Sequence, residues 1–149
     1  MYDHKGIKNS LEEELRDFSE LMGNGWKVES ERHIEIPVKP NSRRIDVAVQ
    51  TDQPNQEGYA FEIKTINSNK YFLHGQLRDY LIAGFQPVLI GPESLIEKTV
   101  PAKPVPIDWI LDFLGVSFVI VEGDGQIGFD LEESRMTGDH IKIFFEHFC

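Results

Sequence analysis

The hydrophobic period of this chain changes along its length, from the roughly 3.6 residues of a helix to the roughly 2 of a strand and back, and that succession restricts it to a mixed α/β architecture. Residues 10–22 carry Leu11, Leu15, Phe18 and Met22 at helical spacing. Ser10 and Glu13 have the spacing of a capping box, and Gly23 and Gly25 end the segment. Three strand-like stretches follow. The first runs from Trp26 to Ile36 and stops at Pro37; the second is Arg43 to Val49, with alternating Ile45, Val47 and Val49; the third is Tyr59 to Ile66. The polar turn 51–58 between the last two predicts an antiparallel hairpin. A second helix is expected over 70–83, opened by Asn67-Ser68-Asn69 and ended by Gly84. Phe85 to Ile90 reads as a strand buried on both faces. Pro101, Pro104 and Pro106 precede a short helix over 107–114, and Val116–Val121 with Gln126–Leu131 read as a hairpin around Gly123-Asp124-Gly125. The aromatic tail 141–148 suits a strand or a helix.

The charges of two of these strands stand out. Glu62 and Lys64 are two apart, so their side chains leave one face of the third strand. Asp46 sits mid-strand on the expected neighbour, its flanks Ile45 and Val47 assigned to the opposite face. A hairpin of suitable register brings Asp46 beside Glu62. Two carboxylates and an ammonium inside a buried sheet are costly unless they are paired or hold a metal ion. Carboxylate oxygens suit a hard divalent cation, Mg²⁺ or Mn²⁺, which polarises a phosphoryl oxygen and activates water. The competing reading is a structural Glu62–Lys64 ion pair with Asp46 on a solvated face.

Arg44-Ile45-Asp46 followed by Phe61-Glu62-Ile63-Lys64 resembles the PD-(D/E)xK nuclease superfamily, and the succession of elements is similar to its restriction-endonuclease-like αβββαβ core, a mixed sheet flanked by helices, here with a C-terminal hairpin added. Gln76-Leu77-Arg78-Asp79-Tyr80 resembles the Q-x-x-x-Y motif of the RecB-like branch. The resemblance spans about residues 10–91 of a single nuclease-like domain, 1–149, with 92–149 as an extension. Ile45 stands where the superfamily name has Pro, a position that varies among members. The resemblance implies Asp46 and Glu62 as metal ligands, with the main-chain carbonyl of Ile63 as a third. It implies Lys64 as the catalytic lysine, Gln76 as a hydrogen-bonding site residue and Tyr80 one turn on along the same face, where a core aromatic is the other reading. The superfamily often adds a glutamate from the first helix. Of Glu12, Glu13 and Glu14, helical phase brings Glu14 nearest the apolar stripe, and it is expected to face the site while the others face solvent.

A net charge of −10, from 25 acidic against 15 basic residues, argues against a protein that coats nucleic acid non-specifically. A local basic rim is still expected from Arg43, Arg44, Lys70, His74 and Arg78, with Lys39 close by, to hold a phosphate backbone. His33 is expected to be structural; His140 and His147 are assigned no role. The single cysteine, Cys149, excludes an iron–sulfur cluster and with it the four-cysteine CRISPR-adaptation relatives. No apolar run reaches membrane-spanning length, and no apolar signal core opens the chain, so the expectation is a cytoplasmic protein with no membrane partner, in the host cytoplasm if a virus or mobile element encodes it. The function expected is a Mg²⁺- or Mn²⁺-dependent hydrolase cutting phosphodiester bonds in DNA, at ends or in single strands; the small size also suits a homodimer. Its alternatives are a catalytically silent relative that binds nucleic acid or protein, and a structural α/β protein with a coincidental ion pair.

Overall fold

The computed structural model describes residues 4–22, 26–34, 43–50, 58–65, 73–92, 94, 99–100, 105–122 and 126–127. Helix α1 (His4–Met22) begins well before Ser10, which lies in its middle and caps nothing. Ile7 is the reason: it adds a further turn to the stripe of Leu11, Leu15 and Phe18, and all four are buried. Each fully buried aliphatic side chain of this kind contributes on the order of 2 kcal/mol, more than a capping box offers. The Ser19 hydroxyl then accepts the Trp26 N–H at 2.9 Å, and the Phe18 and Trp26 rings lie 5.4 Å apart, fixing the chain's entry into the sheet.

The strands are β1 (Lys27–Ile34), β2 (Arg43–Gln50), β3 (Gly58–Ile63) and β4 (Phe85–Gly91), then a two-residue pair β5 (Thr99–Val100) and β6 (Val105–Pro106), and finally β7 (Ser117–Glu122) and β8 (Gln126–Ile127). The main sheet has six strands in the order β1-β2-β3-β4-β7-β8. β1, β2 and β3 are antiparallel neighbours, β3–β4 and β4–β7 are parallel, and β7–β8 is antiparallel. Helix α2 (Leu73–Ile82) crosses between the parallel strands β3 and β4, and α3 (Ile107–Leu114) lies between β4 and β7. The mixed sheet, the β2–β3 hairpin and the α3 boundaries match the sequence reading; the β5–β6 pair does not appear in it. The expected starts of α2 at Asn67–Asn69 and the tail 141–148 lie outside the described residues.

Two cores sandwich the sheet. Ile7, Leu11, Leu15 and Phe18 of α1 pack on Val28, Val47, Val49, Tyr59, Phe61, Ile63, Val88, Ile90 and Val119. On the other face Leu73, Leu77 and Tyr80 of α2 and Ile107 and Leu111 of α3 pack on Ile34, Ile45, Ala48, Ala60, Phe85, Leu89 and Phe118. β3 and β4 are buried throughout, as strands covered by helices on both faces must be. Gly58 begins β3 at φ 151°, and a Cβ there would lie 1.8 Å from the Val49 carbonyl oxygen, so no other residue fits. Among the described residues no helix is long and apolar enough to cross a membrane.

Candidate active site

The sheet forks where β2 meets β3. Their antiparallel ladder runs from Gln50↔Gly58 to Val47↔Phe61 and stops. Beyond that point Arg43–Ile45 stay paired with β1, while Glu62 and Ile63 stay paired with β4. Asp46 and Glu62 are the next residues on the two arms of the fork. The Asp46 carboxylate crosses it: Oδ2 accepts the Ile63 N–H at 2.9 Å, in place of the ladder bond that is missing. The Lys64 N–H donates to the Ile90 carbonyl at 2.9 Å, toward β4. Because that peptide is planar and trans, the Ile63 carbonyl faces the opposite way, toward the fork.

Glu62 and Lys64 share a face, as their spacing requires. Lys64 lies just past the end of β3, yet its Nζ is 3.3 Å from Glu62 Oε1, and both residues are buried, at 8% and 3% exposure. Tyr80, fully buried on α2, donates from its hydroxyl to Glu62 Oε2 at 2.7 Å, with the Arg44 carbonyl 3.2 Å from the same hydroxyl. Tyr80 is therefore a core aromatic whose hydroxyl also touches Glu62. Burial, with the neighbouring Asp46 charge adding to it, pushes the Glu62 carboxyl up to about 7, against the opposing pull of Lys64 and the Tyr80 hydroxyl. Two carboxylates across a fork, one of them resisting ionisation, form an arrangement that a divalent cation relieves. Among the described residues no three His, Cys, Asp or Glu side chains gather to hold a metal ion. Asp46 and Glu62 are hard oxygen donors, of the kind Mg²⁺ takes one or two of while completing its shell with water and substrate phosphate.

Two expectations about orientation need correction. Ile45 and Val47 do not share a face: Ile45 packs on the α2 side and Val47 on the α1 side. Alternation breaks at Asp46, whose side chain reaches into the fork. Glu14 does not reach that carboxylate. His4 does, with Nε2 3.1 Å from Asp46 Oδ2. Lys8, one turn on, pairs with Glu31 at 2.9 Å, and Arg16 donates to the Val28 carbonyl at 3.2 Å. Helix α1 thus leads away from Asp46 along β1, and Glu14 lies about 15 Å further along its axis than His4. Glu14 and Glu12 are half-buried, Glu12 pairing with Arg16 at 2.6 Å, and Glu13 is exposed.

Gln76 is half-buried one turn before Tyr80 and has no side-chain hydrogen bond among the described residues. Arg44 is exposed and pairs with Glu31 through Nε at 2.9 Å; Arg78 is exposed and lies 3.6 Å from the buried Asp79. His33 is exposed on β1. The side chains of Arg43 and His74, and the whole of Lys39 and Lys70, lie outside the described residues. His4, Lys8 and Glu31 are the site neighbours that sequence reasoning missed. The spacing of His4 and Lys8 relative to Ile7 and Leu11 was a signal, hidden by the later helix start. The chain matches no protein-family model, no curated protein and no solved structure.

Proposed function

We propose that this protein is a metal-dependent nuclease that hydrolyses phosphodiester bonds in DNA with Mg²⁺ or Mn²⁺. The observation that carries the reading is the buried Glu62, gripped by Lys64 and Tyr80 and facing the Asp46 charge across the fork. The order of helix, three antiparallel strands, helix and parallel strand also follows the restriction-endonuclease-like core that the motifs resemble. Asp46, Glu62 and the Ile63 carbonyl would hold the ion. The bound ion would supply Lewis-acid polarisation of the phosphate and an acidified water. Lys64 presents an ammonium beside Glu62, where it orients the attacking water and offsets charge building on the phosphate. Tyr80 fixes the Glu62 rotamer through its hydroxyl. Arg78, exposed on α2, would meet a phosphate backbone, and Arg44, exposed but paired with Glu31, would do so only by giving up that pair.

One observation favours the silent relative as a second reading. Among the described residues, three of the four carboxylate oxygens already have partners: Asp46 Oδ2, Glu62 Oε1 and Glu62 Oε2. The same experiment separates the two. Mn²⁺ affinity is measured by calorimetry, and cleavage is followed on linear, circular and single-stranded labelled DNA with Mn²⁺ and with chelator. Lys64→Met should keep Mn²⁺ binding while cutting roughly 10²-fold more slowly, as loss of one electrostatic stabiliser does elsewhere. Asp46→Asn should lose affinity and rate together. A parent protein that binds DNA without cutting it is the silent relative. Cutting that survives chelation, or a Lys64→Met variant at the parent rate, overturns the proposed mechanism.

A further inference from the structure

Glu31 is the one non-glycine residue with positive φ among the described residues, at 54°, and it lies inside a strand. Left-handed backbone is sterically disfavoured for such a residue and persists only where its surroundings impose it. The surroundings here are two cations from different elements. Lys8 Nζ of α1 lies 2.9 Å from Glu31 Oε1, and Arg44 Nε of β2 lies 2.9 Å from Glu31 Oε2. These contacts also hold the carboxyl below the usual carboxylate range, the Lys8 hydrogen bond leading.

The position matters more than the strain. The β1–β2 ladder pairs Ser30 with Val47 and Arg32 with Ile45, and between them the opposed residues Glu31 and Asp46 are unpaired. Both strands exchange faces there. Before the break Val28 and its partner Val49 pack on the α1 side; after it Ile34 and Ile45 pack on the α2 side. Arg32 follows, its guanidinium 5.5 Å from the centre of the Phe85 ring in the α2-side core. A strand of regular alternation would keep Val28 and Ile34, six residues apart, on one face. It would likewise keep Ile45 with Val47, and Asp46 would project squarely from the sheet instead of into the fork.

We infer that Glu31 is a positioning residue: its left-handed backbone, clamped by Lys8 and Arg44, reverses the sidedness of the β1–β2 pair and so delivers the Asp46 carboxylate into the fork beside Ile63. This deepens the nuclease reading and rests on it for its consequence, but the geometric statement stands or falls alone. Glycine adopts the left-handed conformation without cost and needs no clamp. Valine, branched at Cβ, resists it. Glu31→Gly should therefore preserve the arrangement although both ion pairs are gone, and Glu31→Val should abolish it. Glu29→Val, on the same strand in ordinary backbone, is the control for a general effect on β1.

The readout is the Ile63 amide, whose proton is held by Asp46. Hydrogen exchange followed by NMR on the metal-free protein should find it protected in the parent, Glu31→Gly and Glu29→Val, and exchanging roughly tenfold faster or more in Glu31→Val. Mn²⁺ affinity, measured on the same four proteins, should fall in parallel for Glu31→Val alone. Loss of Ile63 protection in Glu31→Gly overturns the inference, and so does a folded Glu31→Val that keeps it or an equal loss in Glu29→Val. If Glu31→Val does not fold, Glu31→Gly decides: protection retained supports the inference, protection lost refutes it. A parent that neither binds Mn²⁺ nor cuts DNA removes the nuclease reading and leaves the Ile63 result to judge Glu31.

Discussion

Glu62→Gln should flatten the pH dependence of stability. In the folded, metal-free protein the Glu62 carboxyl holds its proton up to about 7, whereas its ordinary value is 4.5. The folded chain therefore binds more protons than the unfolded chain between those values, and stability falls as pH rises through them. The contribution is complete below pH 4.5 and is lost as pH passes 7. Each tenfold change in proton affinity is worth about 1.4 kcal/mol, so the loss between pH 5 and pH 9 comes to about 3 kcal/mol. For a chain of this size that is a fall in Tm of roughly 6–12 °C. Gln has nearly the same shape, still accepts from the Tyr80 hydroxyl and has no proton to lose. The assay is urea or thermal unfolding of both proteins at intervals from pH 5 to pH 9, with chelator present. The parent should lose about 3 kcal/mol more than the variant across that range. The comparison is of slopes, so any uniform destabilisation from the lost Lys64 pairing drops out. Excess Mn²⁺ should restore the parent above pH 7, by about 2.7 kcal/mol at a hundred times its Kd, and leave the variant nearly unmoved. Parallel curves for the two proteins would show that Glu62 is ionised in the folded state and would refute the reasoning.

Tyr80→Phe should cost about 1–3 kcal/mol in urea unfolding, because it strips a hydroxyl from a buried acceptor without opening a large cavity, and the pH-dependent loss of stability, starting from the same pH as in the parent, should then run on to a higher pH before it levels off, since the Tyr80 hydrogen bond is one of the groups pulling the Glu62 carboxyl down. Gly58→Ala should destabilise by about 2–4 kcal/mol or prevent folding, because its Cβ would meet the Val49 carbonyl at 1.8 Å and backbone cannot move aside; a Tm within experimental error of the parent would contradict this.

What the sequence revealed, and what it hid, follows from the range of the interactions involved. The shared face of Glu62 and Lys64 depends on one bond alternation, and the structure joins them at 3.3 Å. The inward turn of Tyr80 depends on the helical period, shared with Leu73 and Leu77. Helical phase favours Glu14 over Glu12, yet both are half-buried, and phase says nothing about height along the axis of a helix that starts at His4 and not at residue 10. The face exchange at Asp46 has no local signature. It arises from a left-handed glutamate on the neighbouring strand, a residue type that gives no warning of that conformation. His4 enters the site only through tertiary docking of α1. The β5–β6 pair is two residues long on each side, too short to show any period.

The fork has a mechanical consequence. Asp46 travels with β1, because β2 is laddered to it on that side; Glu62 and Lys64 travel with β4. The span between the carboxylates is therefore a gap between two separately anchored plates, bridged by the Asp46–Ile63 and Tyr80–Arg44 bonds. A cation held by both carboxylates would act as a cross-brace on that gap, tightening the outer hairpin against the parallel core. A nucleic-acid backbone pressed into the same gap would work as a wedge. On the proposed nuclease reading, the distance between the carboxylates would then be set by the balance of brace and wedge, and loading at the far end of the β1–β2 hairpin would be felt, through Asp46, as a change in rate.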